Sequence, residues 1–195
     1  MYFRWSTAAC LAVMALLLFG CASYTIDEPY RPTHERLSEA GNFSIYVQLR
    51  SELGSTPGVR IGDYGRRDII LGPPYDEWLA SGLRGEYRRA GFRVADNPED
   101  APAMVDVQVV QVFAERASGC APMVDCVGAV AVFDVEVVDP RTGNRYGRRF
   151  ASSASSTTMS ASAEDLEDRL REALAGVYEE IVSETHALLT GPPDV

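Results

Sequence analysis

Few residues in this 195-residue chain could do chemistry: four cysteines, two histidines and paired acids such as Asp134 and Glu136. Asp134 and Glu136 stand two apart in an alternating run, so they share one face of a strand. That spacing serves general acid/base catalysis or the solvated face of a sheet, and the solvated face is the expectation here. His34 lies in a polar N-terminal stretch and His186 near the end of a C-terminal helix, where a cation suits the helix dipole; a surface or edge position is expected for His186. The chain carries no Gly-x-Ser-x-Gly turn, dinucleotide fingerprint, phosphate loop or His-Glu-x-x-His pattern. All 18 basic residues are arginine, which removes Schiff-base chemistry and Lys-dependent phosphate loops. The expectation is a non-enzymatic protein without metal or cofactor.

Cys120 and Cys126 bracket Ala121-Pro122-Met123-Val124-Asp125, a Pro-containing loop between two strand-like runs. In an oxidising compartment, thiols placed in this way read as a disulfide closing a hairpin tip. Zinc would need two more ligands, and both histidines are remote in sequence. The spacing is not that of a Cys-x-x-Cys redox pair.

Cys21 ends a different pattern. Arg4 is followed by the apolar run Ala8 to Phe19, which stops at Leu18-Phe19-Gly20-Cys21. A short charged head and an apolar core of this length make a secretory signal, since a spanning helix needs about 20 apolar residues. The ending resembles the lipobox of bacterial lipoproteins. That resemblance implies that a diacylglycerol is attached to the Cys21 thiol, that a peptidase then cuts before it, and that Cys21 begins the mature protein. Phe19 is bulkier than the residue usual two places before the lipidated cysteine, and the other reading is a plain secretory signal cut at Ala22 or nearby. Ala22 rather than Asp after the cysteine implies, by resemblance to enterobacterial sorting, the periplasmic face of the outer membrane. Stable anchoring takes more than one acyl chain, which a diacylglycerol supplies.

The net charge of −10 argues against nucleic acid as a partner, because phosphate binding depends on a basic patch. Removing residues 1–20 takes away Arg4 and no acid, leaving the chain more acidic still. Arginines gather at Arg66/Arg67, Arg84/Arg88/Arg89/Arg93 and Arg145/Arg148/Arg149; solvated charge paired with the surplus acids is the expectation, and an acidic or headgroup partner the alternative.

The domain plan is a signal peptide at 1–20, lipidated Cys21 with a flexible tether at 21–42, one domain at 43–190 and a tail at 191–195. The tether reading rests on polar composition, Pro29 and Pro32. From Phe43 the sequence alternates, with Ile45, Val47 and Leu49 on one face of a strand. A turn-rich stretch holds two short apolar pieces, Val59 to Ile61 and Ile69 to Leu71. A helix begins near Tyr75 with Trp78, Leu79, Leu83, Tyr87 and Ala90 on one face and ends at Gly91. Two long strands follow, Val105 to Glu115 and Val127 to Val138, then the turn at Asp139 to Asn144 and a third strand from Arg145. That strand runs into Ser152 to Ser162, expected as a polar strand end and loop. The capping box Ser162-Ala163-Glu164-Asp165 opens a long helix with Leu166, Leu170, Leu174, Val177 and Ile181 on one stripe. The class expected is α+β: an antiparallel sheet with two helices packed on one face, in the order β-(β)-α-β-β-β-α.

Gly58-Val59-Arg60-Ile61-Gly62, the helix Trp78 to Ala90 leading into Gly91-Phe92-Arg93-Val94, the Val-alternating strand pair and the terminal amphipathic helix resemble the YajG-type bacterial lipoprotein family over residues 43 to 189. The resemblance implies an outer-membrane lipoprotein facing the periplasm, with no active site to carry over. The expected role is an envelope interaction or accessory module, held at the membrane through Cys21, with an envelope protein, lipid or peptidoglycan as partner. The alternative is a ligand-binding accessory subunit of a lipid or solute transport system.

Overall fold

The computed structural model describes residues 24–26, 28–51, 58–61, 69–71, 75–121 and 124–191. In chain order the elements are β1 (Tyr24–Ile26), β2 (Ser44–Ser51), β3 (Gly58–Ile61), β4 (Ile69–Leu71), α1 (Tyr75–Ala90), β5 (Arg93–Ala95), β6 (Ala103–Ala121), β7 (Val124–Val138), β8 (Arg145–Thr158) and α2 (Ala163–Thr190). This is the α+β class and element order expected, with both helices against one face of the sheet and touching each other.

The strands β6, β7 and β8 form the antiparallel meander that the sequence implied, with Phe133 opposite both Val109 and Phe150. The N-terminal strands are different. β2 lies parallel to both β6 and β5, so the sheet is mixed. The cause is the α1 crossover, which carries the chain back to the end from which β2 started and obliges the next strand to run the same way. The central sheet reads β5-β2-β6-β7-β8, and β3, β4 and β1 continue it from the distal half of β6.

Every second residue of the meander points at the helices. Val105, Val107 and Val109 are buried on β6, after which a bulge between Val109 and Gln111 shifts the parity and buries Val112 and Ala114. On β7 the inward set runs unbroken from Val127 through Ala129, Ala131, Phe133 and Val135 to Val137. The Ser/Thr stretch is strand as far as Thr158, and small residues there have a packing reason. Gly176 of α2 sits so close to β8 that a Cβ on it would come within 2.5 Å of the Ser152 hydroxyl. Ser152 and Ala154 thus let the helix lie close on the strand.

α2 opens with the full capping box, Ser162 accepting from the Asp165 N–H and Asp165 accepting from the Ser162 N–H. Tyr178 donates from its hydroxyl to the Leu79 carbonyl at 3.1 Å, and the Tyr87 hydroxyl meets that of Thr185 at 2.8 Å, which fixes α2 against α1. Burial pushes the titration of both phenols up, so both remain neutral hydrogen-bonding groups. Gly91 ends α1 at φ 109°, a conformation in which a side chain would be strained.

The expected flexible tether is the main correction. From Glu28 onward it packs on the domain, with Tyr30, His34 and Ala40 buried, and Tyr24–Ile26 is a strand paired in parallel with β4. Cys21 and the tail from 192 onward lie outside the described residues.

Leu174 is fully buried under the sheet. Leu174→Ala is expected to cost about 2–5 kcal/mol in urea unfolding, and Leu174→Asp to prevent folding. An unchanged midpoint for the alanine variant would contradict the packing of α2 as core.

Candidate functional site

With one face of the sheet sealed by helices, the opposite face is the open one. Its floor at the β2-β6-β7-β8 level is a groove of about 670 Å³ lined by Arg50, Asp106, Gln108, Asp134, Glu136 and Arg149 among others. Strand alternation brings them together, since Gln108, Asp134 and Arg149 stand in register across three strands and Asp106 stands opposite Glu136. Two carboxylates directly opposite repel each other, and each is held by an arginine instead. Arg50 reaches across from β2 to Asp106, and Arg145 donates to Glu136 at 2.6 Å. Arg149 grips Asp134 through two bonds of 2.7 Å, the fork geometry of a strong guanidinium–carboxylate pair. That pairing holds the Asp134 carboxyl below the usual carboxylate range.

Asp134 and Glu136 therefore share a solvated face as expected, each paired with an arginine. Further along the same face the residues change character: Phe113, Val130 and Val132 are half-buried beside exposed Ala151 and Ser153. The open face joins a charged half to an apolar half.

A second constellation was invisible to periodicity. Glu86 on α1 is 1% exposed. It accepts hydrogen bonds from the Tyr30 hydroxyl at 2.7 Å, the Thr33 N–H at 2.9 and 3.0 Å and the His34 N–H at 2.8 Å. Burial, then the bond to Glu86, pushes the Tyr30 phenol well up. Arg89 donates to the His34 carbonyl, Arg171 to those of Glu28 and Pro29, and the His186 ring nitrogen lies 2.7 Å from the Ser38 carbonyl oxygen. Both histidines thus serve the docking of residues 28–42, His34 buried and His186 half-buried at the helix edge. Glu at an α1 position beside Tyr87 was the one available signal, and it reads alone as an ordinary surface acid.

Cys120 and Cys126 are joined, with a Cα–Cα distance of 6.0 Å. Of the arginine groups, Arg84 pairs with Glu77 and Arg148 with Glu184, while Arg66 and Arg67 lie outside the described residues. Among the described residues no cluster of three or more His, Cys, Asp or Glu side chains is placed to hold a metal ion.

No family model and no curated protein matches the chain, so the YajG-type likeness rests on the residues quoted for it. Solved structures do match. A Xanthomonas campestris protein of the DUF330 family superposes with a TM-score of 0.59 at 10% identity, over 85% of this chain and 94% of its own. What is shared is the fold. A minor lipoprotein from Acinetobacter baumannii superposes with a TM-score of 0.42 at 14% identity, over 74% of this chain and 91% of its own. The rare lipoprotein B of Shewanella oneidensis gives 0.36 at 10% identity, over 73% and 92%.

Glu86→Ala removes the acceptor of the buried Tyr30 hydroxyl and His34 N–H and of the part-buried Thr33 N–H, and is expected to cost about 2–4 kcal/mol. In the same variant residues 28–36 should become open to proteolysis while the meander keeps its amide protection; a variant with wild-type resistance would contradict the docking role.

Acid should destabilise the domain in a defined window. Arg149 depresses Asp134, the Ala161 N–H and Arg116 depress Asp125, Arg141 depresses Asp139, and the Ser162 N–H depresses Asp165. Folded values below the unfolded value of about 4 mean stability that is present above that pH and lost as pH falls through the folded values. The urea midpoint should be flat from neutrality to about pH 5 and fall below about pH 4, less steeply in Asp134→Asn. A midpoint that rises on acidification would overturn this.

Proposed function

We propose that the chain is a lipid-anchored protein of the bacterial envelope, held by Cys21 at the periplasmic face of the outer membrane, and that it acts without catalysis by binding another envelope component through the open face of its sheet. The observation that carries this reading is the pairing of a sealed inner face with a groove of about 670 Å³ on the outer one, whose charges are held in place by cross-strand arginine–carboxylate pairs. Preformed charge next to half-buried Phe113, Val130 and Val132 is the mix of polar and apolar surface that protein interfaces use.

The transport-accessory reading asks for a roomy apolar cavity. The inner layer is filled instead by Phe133, Tyr178, Leu170 and Leu174, all buried. A cavity of about 350 Å³ between β7, β8 and the end of α2 has Val135, Val137, Phe150 and Leu188 in its lining but is rimmed by Arg145, Arg148 and Glu184. That volume lies at the small end of ligand pockets, which favours the interaction reading.

Two measurements test the proposal. Cys21→Ser should leave an unprocessed precursor that takes up no labelled fatty acid; normal processing of that variant, or wild type without label, would sink the anchor. Reversal of the open-face charges in Asp134→Arg with Glu136→Arg should leave an anchored, folded protein while abolishing its cross-linking to the envelope component that wild type captures. Unaltered cross-linking would move the interface elsewhere.

A further inference from the structure

The two edges of the central sheet are built differently. At one, β5 is three residues long and opens with Arg93. At the other, β8 runs for 14 residues and pairs with β7 alone among the described strands. In an antiparallel ladder every second residue turns its N–H and C=O away from the neighbouring strand. From Phe150 to Thr158 no turn or loop backbone of the described residues takes up those outward groups of β8.

An edge that is meant to stay single ordinarily carries charge, proline or a bulge that keeps a second strand off. Phe150-Ala151-Ser152-Ser153-Ala154-Ser155-Ser156-Thr157-Thr158 has none of these. Its ladder with β7 runs through without the register shifts that interrupt β6 against β7. The arginines of β8 stand only at its beginning, and Arg145, Arg148 and Arg149 already pair with Glu136, Glu184 and Asp134 of their own chain, so the edge asks for no acidic strand.

The strand that fits is β8 itself. A second copy turned about a twofold axis at Ala154 sets Phe150 opposite Thr158, Ala151 opposite Thr157, Ser152 opposite Ser156 and Ser153 opposite Ser155, which uses the whole uncharged stretch and brings no like charges together. Arg149 of each copy then comes beside Met159 of the other, the exposed large hydrophobic side chain among the described residues at 86%. A parallel copy would instead set each arginine against itself. The helices leave room for the antiparallel arrangement. α2 lies over β7 and β8, and with strands about 4.8 Å apart the α2 axes of two copies stand about 10 Å from each other, an ordinary helix-packing distance.

We infer that β8 is the interface between two copies of this chain, paired antiparallel about Ala154, so that the β5-β2-β6-β7-β8 sheets of both form one continuous sheet. The open charged faces of the two copies then lie side by side on one surface. The test uses the full chain purified from its envelope in dodecyl maltoside, with mass read by sedimentation, and wild type is expected to be a dimer. Ser153→Glu with Ser155→Glu, at two exposed positions, sets like charges against each other across the axis and is expected to weaken self-association about tenfold or more with the urea midpoint unchanged. Mixing that chain with one carrying Ser153→Arg and Ser155→Arg should restore a mixed dimer. Should the charged variants fail to fold, Ser153→Cys chains mixed with Ser155→Cys chains decide: mild oxidation should join the two variants several-fold more than it joins either to itself, and no such excess would overturn the inference. A monomeric wild type, a dimer indifferent to the two acidic substitutions, or a folded acidic and basic mixture that stays monomeric would overturn it as well.

Discussion

A buried carboxylate is costly unless its oxygens are fully hydrogen-bonded, and Glu86 meets that demand with donors drawn almost entirely from residues 30–34. The dependence runs both ways. Residues 30–34 cover Glu86 as they bond to it, and without Glu86 the Thr33 and His34 amides would lose their acceptor. One side chain therefore joins residues 30–34 to the helix that crosses over the sheet.

The consequences reach the far side of the molecule. Because residues 28–42 and the two helices close the inner layer, Tyr30 can stack edge-on against Tyr178 and Trp78 rather than face water. Arg171 adds a guanidinium over the Trp78 ring while bonding to the backbone of Glu28 and Pro29. What stays open is the outer face of the sheet and the long β8 edge, and the two differ in character: paired charge on the face and polar strand at the edge.

How legible this was depended on whether the signal was periodic. The stripes of α1 and α2, the alternation of β7 and the capping box at Ser162 all follow from spacing, and the elements they specify lie where spacing puts them. The parallel placement of β2 was not legible, because alternation tells which face a strand buries and says nothing of its neighbours. Ser152 to Ser162 read by composition as a polar strand end and loop, with no sign that the strand runs on to Thr158; the close approach of Gly176 makes small residues the ones that fit under α2. The segment after Cys21 read as tether because its prolines and charges show no period; its order comes from contacts with Glu86, Arg89 and Arg171, distant in sequence. The open-face groove was half legible: Asp134 and Glu136 were placed on one face, while Arg50 and Asp106 joined them only through register.

The central claim is that the N-terminal segment is a docked part of the domain rather than a leash. Hydrogen exchange at the Thr33 and His34 amides of the full-length protein tests it most directly, since both N–H groups point at Glu86. The account predicts protection approaching that of the β6 and β7 core amides. Exchange at the rate of an unstructured peptide would contradict it.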